Sequence, residues 1–195
     1  MTDSPATTPA LRWLFNAPEQ RWKNGGGLTR ELLAAPPGDD WRWRISVAEI
    51  EADGPFSPYA GVERWIALVE GEGIELDFGG KMQRRLQSHT PLRFDGARAP
   101  TCRLLSGPTT DLNLMLRGVE GRMERARLHA PWAPRAAQAG LYTRGPCQLF
   151  SDSGRWLVSA DHLVWFAQAP KRLWIEAGSD AVAWWLAVDD AGAGA

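Results

Sequence analysis

Short runs of β-forming residues recur along the chain between Gly, Pro, Asn and Asp turns, and no long helical stripe of apolar residues competes with them. That pattern predicts an all-β fold of the sandwich or barrel kind. WRWRISVAEI, residues 41–50, is the clearest strand. Alternation places Trp41, Trp43, Ile45 and Val47 on one face and Arg42, Arg44, Ser46 and Ala48 on the other. Further strands are expected at 65–70, 74–78, 92–94, 103–105 and 112–116, then at 147–150, 155–158, 162–166, 172–175 and 181–188. EGEG at 70–73, FGGK at 78–81 and DSGR at 152–155 supply turns in which glycine takes the positive φ a hairpin needs. RGVEGRMERAR at 117–127 reads as a polar strand or a loop. PWAPRAAQAGLYTRGP at 131–146, with its three prolines, is the best connection between two halves, 1–130 and 131–195. The tail at 191–195 is expected to fray.

The 195 residues suffice for one domain or two small interlocked halves. Hydrophobic residues at 44% and charged residues at 23% lie far from the disordered corner of composition. A formal net charge of -1 gives no overall attraction to a polyanion, so the reading is no nucleic acid and no membrane as partner, and a small molecule instead. Lys23, Lys81 and Lys171 are the only lysines, so arginine carries most of the positive charge. Arginine forks hold carboxylates bidentately, which makes an inward arginine informative. Cys102 and Cys147 match no metal or redox spacing. The start MTDSPATTPALRW has neither a basic nor an apolar leader region, and no apolar run reaches the ~18 residues of a membrane span, so the expected compartment is cytoplasmic. A homodimer is compatible with the chain. Eleven tryptophans, at ~150–250 Å² apiece, suit the filling between two sheets. Trp184 and Trp185 point to opposite faces, so one of them is expected at a rim, an interface or a ligand.

RWKNGGGLTREL, residues 21–32, is not a P-loop, because Lys23 precedes the glycines instead of following them. It also lacks GxGxxG and an alternating strand and helix context. What remains is the turn signal Asn24-Gly25, extended by Gly26 and Gly27 into either a plain turn or a loop lining a pocket. Three glycines carry an entropic cost that an ordinary hairpin does not require, which favours the pocket.

That run, together with WRWRISVAEIEADGPFSPYAGVERWIALVEGEGIEL and FDGARAPTCRLLSGPTTDLNLML, resembles the HutD/Ves family of cupin-fold proteins associated with bacterial histidine utilisation. The likeness covers about residues 12–117. It implies a bicupin, with two small β-barrel halves in one compact chain, and it does not establish a reaction. A first cupin motif carries two histidines spaced HxH, then a glutamate and a glycine. With Gly71 on that glycine, Arg64 takes the glutamate's place and Ser57 and Tyr59 those of the histidines. A guanidinium is no metal ligand. His89, His129 and His162 lack the spacing to rebuild such a site. The expectation is therefore no metal and no cofactor.

In place of a metal, the resemblance puts a side-chain cation in the barrel. If Arg64 points inward and Arg44 and Ser46 project from the neighbouring strand, the pocket suits a small carboxylate. Alternatively Glu63, Glu31 or Asp111 neutralises both arginines in a structural network. Asp111 and Asn113 share one face of DLNLML, as a wet surface or a pocket wall, and the family likeness favours the wall. The candidate ligand-binding residues are Lys23, Asn24, Gly25, Gly26, Thr29, Arg44, Ser46, Tyr59, Arg64, Asp111 and Asn113, with Arg30 and Glu31 as further contacts at the mouth. Asp95-Gly96 reads as a turn. No GxSxG elbow, Cys/His pair or spaced carboxylate pair presents a catalytic apparatus. The leading expectation is a non-catalytic binder of a small anionic metabolite such as urocanate or N-formylglutamate. The alternatives are a metal-independent isomerase or hydrolase with Glu31, Glu63 or Asp111 as general base, and a scaffold acting through protein contacts.

Overall fold

The computed structural model describes residues 8–80, 83–86 and 89–191. Lys81 of the FGGK turn and the tail beyond 191 lie outside the described residues. Among those described, helix is confined to one 3-10 turn, Leu14–Asn16, and the rest of the regular structure is strand. The chain divides into two units, one spanning Leu14–Val119 and the other joining the segment up to Trp13 with Glu120 onward.

The Leu14–Val119 unit contains β2 (Glu19–Arg21), β3 (Gly27–Ala35), β4 (Trp43–Ile50), β5 (Gly54–Pro55), β6 (Val62–Glu70), β7 (Ile74–Asp77), β8 (Gln83–Leu86), β9 (Leu92–Asp95), β10 (Thr101–Leu104) and β11 (Thr109–Arg117). They form a six-stranded sheet, β2-β3-β4-β11-β6-β9, and a four-stranded sheet, β5-β10-β7-β8, with every pairing antiparallel. Ile66 and Leu68 of β6, Ile74 and Leu76 of β7, Leu86 and Cys102 pack into one buried cluster that also takes Ile50 and Phe56. The larger sheet alternates as its sequence requires. Trp43, Ile45 and Val47 on β4 and Leu112, Leu114 and Leu116 on β11 are all buried on one face. The other face carries the polar residues that build the site.

The second unit contains β1 (Ala10–Trp13), β12 (Glu120–Arg125), β13 (Gln138–Thr143), β14 (Cys147–Ser151), β15 (Gly154–Val158), β16 (His162–Phe166), β17 (Leu173–Glu176) and β18 (Ala183–Asp189), in sheets β1-β16-β13-β18-β12 and β15-β14-β17. The undecided segment at 117–127 is thus strand β12. The proline-rich interval read as a connection contains β13, buried at all six positions in the middle of a sheet. Its prolines fall outside the strand, where they break no ladder hydrogen bond. In DSGR the hairpin turns at Asp152-Ser153, since Gly154 already pairs with Ser151. Trp184 and Trp185 are both buried, which corrects the expectation that one would reach a rim. They do face opposite ways: Trp185 stacks on Trp132 at 5.0 Å, and Trp184 lies 6.1 Å from Tyr142. Because β18 is a strand covered on both faces, alternation within it does not imply exposure.

Candidate ligand-binding site

A cavity of about 740 Å³ opens in the Leu14–Val119 unit, above the polar face of the larger sheet. Register lays its floor in rows. Arg44 pairs with Met115, and Met115 with Arg64; Ser46 pairs with Asn113, and Asn113 with Ile66; Ala48 pairs with Asp111, and Asp111 with Leu68. Successive rows along the strands therefore pass from cationic, through Ser46 and Asn113, to a row in which Asp111 lies between Ala48 and Leu68. β4 and β6 are not neighbours, which corrects the expectation that Arg44 and Ser46 project from the strand beside Arg64: β11 lies between them. The two arginine Cα atoms are thus two strand spacings, roughly 10 Å, apart. Long side chains close that gap over Met115.

Arg64 is 8% exposed. Its guanidinium carbon lies 5.1 Å from the Phe56 ring, 5.6 Å from Tyr59 and 5.1 Å from Phe94. Each such contact contributes on the order of 0.5–2 kcal/mol and holds the fork without neutralising it. Nη1 donates to the Ser57 carbonyl at 3.4 Å, and Nε is buried without a hydrogen-bond partner. Burial pulls the Arg64 pKa down to about 10; Tyr59 works against this and Arg44 adds to it. Arg64 remains a cation at neutral pH. The Arg44 guanidinium lies 5.2 Å from the Trp41 ring, and its Nη2 donates to Met115 Sδ at 3.2 Å. Among the described residues no carboxylate comes within 4 Å of either arginine, so the internal network offered as the alternative does not form. Glu63 instead pairs with Arg93 and accepts the Trp65 indole N–H at 2.9 Å.

The wall opposite comes from two segments. Pro55 to Tyr59 brings Phe56, Ser57 and Tyr59 to the cavity. Gly96 fixes it: Tyr59 N–H donates to the Gly96 carbonyl at 2.8 Å, and Gly96 N–H donates to the Val62 carbonyl at 2.7 Å. A Cβ on Gly96 would sit 2.8 Å from the Tyr59 carbonyl oxygen, which explains the glycine. The second segment is the triple-glycine loop. Trp22 N–H donates to the Gly27 carbonyl at 2.9 Å, Asn24 Oδ1 accepts from Gly26 N–H at 3.1 Å, and the Gly26 carbonyl accepts from Glu51 and Ala52. The loop is therefore a tightly closed turn that also presents side chains to the cavity.

Of the residues singled out from sequence, Lys23, Asn24, Thr29, Arg44, Ser46, Tyr59, Arg64 and Asn113 line this cavity. Gly25, Gly26 and Asp111 do not. The glycines serve the turn's backbone, and Asp111 is wholly buried beyond the Ser46–Asn113 row. There Thr109 Oγ1 donates to Asp111 Oδ2 at 3.0 Å, Oδ1 lacks a partner, and burial raises the carboxyl pKa to about 7 against the pull of the Thr109 bond. Burial first, then the Asp111 and Asp53 charges, push the Cys102 thiol up to about 12. Arg30 turns away to Glu19 and the Ala17 carbonyl, and neither it nor Glu31 lines the cavity. Sequence reasoning missed Trp22, Phe56 and Met115. Met115 was within reach, two positions beyond Asn113 on the same face. Trp22, whose indole N–H donates to Thr29 Oγ1 at 2.8 Å and which meets Phe56 edge-on, had no such signal.

The backbone is similar to that of HutD from Pseudomonas fluorescens (TM-score 0.80, 22% identity, 95% of this chain and 100% of that one) and to that of a Bacillus subtilis oxalate decarboxylase mutant (TM-score 0.65, 8% identity, 98% and 80%). The class is therefore all-β and cupin-like, here with a cationic cavity in one unit. The HutD family model matches residues 16–183, and the chain belongs to that family. Protein Ves of Cronobacter sakazakii is 32% identical over 143 residues, 73% of this chain and 75% of that protein. An uncharacterised 21.2 kDa protein in the hutC 3′ region of Pseudomonas putida is 38% identical over 100 residues, 50% of this chain and 53% of that relative, so the match spans about half of its length. Ser57, Tyr59 and the Arg64 guanidinium line the cavity, and a hydroxyl, a phenol and a guanidinium are not a donor set that fits a transition ion. Among the described residues no three His, Cys, Asp or Glu side chains gather as ligands, and no helix is long and apolar enough to cross a membrane.

Proposed function

We propose that this chain is a cytoplasmic, metal-free bicupin that binds a small carboxylate metabolite of histidine degradation, urocanate or N-formylglutamate, with a regulatory or accessory role in histidine utilisation. The observation that carries the reading is a cavity onto which Arg44 and Arg64 face and which, among the described residues, no Asp or Glu lines. Forked cations held in place by aromatic rings, with no internal counter-charge, suit a carboxylate arriving from solution. Arg44 and Arg64 hold it, Ser46 and Asn113 select its polar end, and the Lys23 loop with Thr29 borders the opening. The bicupin reading is supported by two units, each built of two antiparallel sheets. The link to histidine utilisation is supported by the HutD family and by the hutC-region relative. Nothing observed favours the enzymatic alternative, since Glu31, Glu63 and Asp111 are all absent from the lining. Calorimetry with urocanate and N-formylglutamate on wild type and Arg64→Met tests the proposal. One compound should bind, and the variant should bind it at least ~30-fold more weakly, as expected for a desolvated charge-assisted pair worth about 2 kcal/mol or more. Wild type binding neither, or a variant with unaltered affinity, would refute it.

A further inference from the structure

The cavity is cationic at two places, the Arg44 and Arg64 pair and the loop bearing Lys23. Arg44 lies at the start of β4, whereas the loop bearing Lys23 is fastened at its far end, through Gly27 paired with Ile50 and the Gly26 carbonyl accepting from Glu51 and Ala52. Arg44 and Ile50 are six residues apart, so by strand rise the two ends of the cavity are separated by roughly 20 Å of backbone. Lys23 lines the cavity, and among the described residues no carboxylate comes within ion-pair distance of it. Arg21 beside it is different, for it has Glu51 at 3.8 Å. Between the arginine pair and Lys23 the lining is uncharged, with Ser46, Thr29 and Asn113 on one hand and Ile66, Phe56 and Trp22 on the other. Four cations line the cavity; Arg21 has Glu51 beside it, and the other three, with no acid among the described lining residues, keep net positive charge when a monocarboxylate is seated on Arg44 and Arg64.

We infer that the ligand is an elongated dianion, a dicarboxylate whose first acid group sits on Arg44 and Arg64 and whose second meets Lys23 across an uncharged spacer. The inference rests on the carboxylate-binding reading and deepens it, since it excludes monoanions as the preferred class. The neutral middle accounts for the specificity: a spacer of several atoms buries against Phe56 and Ile66, and a compact dianion with adjacent charges cannot reach both ends. Lys23 suits the outer role, being an exposed, flexible point charge, while the rigid forks lie inside.

The test uses matched probes at fixed ionic strength and pH 8, where every acid group is ionised: glutarate and adipate against their monomethyl esters, titrated into the full-length protein. Wild type should bind the better dicarboxylate at least ~10-fold more tightly than its monoester. Lys23→Gln should bring that ratio to near one, and Arg64→Met should weaken both compounds. A thermal melt of each variant checks that it is folded. Monoester and dicarboxylate binding equally to wild type, both dependent on Arg64, would overturn the dianion inference and leave the carboxylate site standing. So would a preference that survives Lys23→Gln. If neither the diacids, the monoesters, urocanate nor N-formylglutamate binds, the site reading falls and this inference with it.

Discussion

Asp111 illustrates how far one side chain's environment can depart from its sequence context. It was singled out for sharing a face with Asn113, yet it sits one row deeper, fully buried, with a single hydrogen bond and a pKa raised to about 7. In the unfolded chain it titrates near ~3.9. Between those values the folded protein holds a proton that the unfolded chain has released, so folding stability from this group is greatest below about pH 4, falls as pH rises, and levels off above about 7. Asp111→Asn keeps the shape and cannot ionise. Its melting temperature should therefore gain on wild type between pH 5 and pH 8, by roughly 3 °C or more for a chain this size. A difference that stays constant across that range would show the carboxyl to be ionised throughout. Arg64 was legible through the family resemblance, whose motif spacing put it in a metal ligand's place, and Arg44 through alternation, which set it on the face opposite Trp43 and Ile45. The aromatic ring cluster around Arg64 was not, because Phe94 on β9 joins Phe56 and Tyr59 from a segment more than thirty residues away.

At the scale of elements, the triple glycine resolves into different demands at its two ends. Gly25 has φ +72 and open space around its missing side chain, whereas a Cβ on Gly27 would lie 2.2 Å from the Glu49 carbonyl oxygen of the adjoining strand. Gly27 permits close approach of β3 to β4, and Gly25 only supplies a left-handed turn residue. Gly27→Ala should therefore destabilise the protein by about 2 kcal/mol or more, while Gly25→Asn stays within about 1 kcal/mol. Urea midpoints of the two variants measure the contrast, and equal midpoints would mean that the β3–β4 approach relaxes freely. The sequence showed that glycine was needed here without showing which position needed it, because the clash comes from a strand more than twenty residues away.

At the scale of the whole molecule, chain order and unit membership diverge. β1 pairs with β16, Ala10 opposite Trp165 and Trp13 opposite His162, although 149 positions separate Trp13 from His162. Removing residues 1–13 should strip the hydrogen-bonding edge from β16, so amide exchange across His162–Phe166 should accelerate at the positions facing β1; unchanged protection there would overturn that dependence. What the sequence determined by itself was the all-β class, most strand positions and, through its motifs, the family, because alternation with period two, turn chemistry and short motifs are local properties of the chain. Tertiary structure alone decided that β11 separates β4 from β6, that β13 lies buried among its prolines, that Asp111 is hidden and that Lys23 stands across the cavity from the arginines. Those outcomes depend on which strands pair and in what register, and pairing is a competition among distant segments for the same hydrogen bonds and the same buried area.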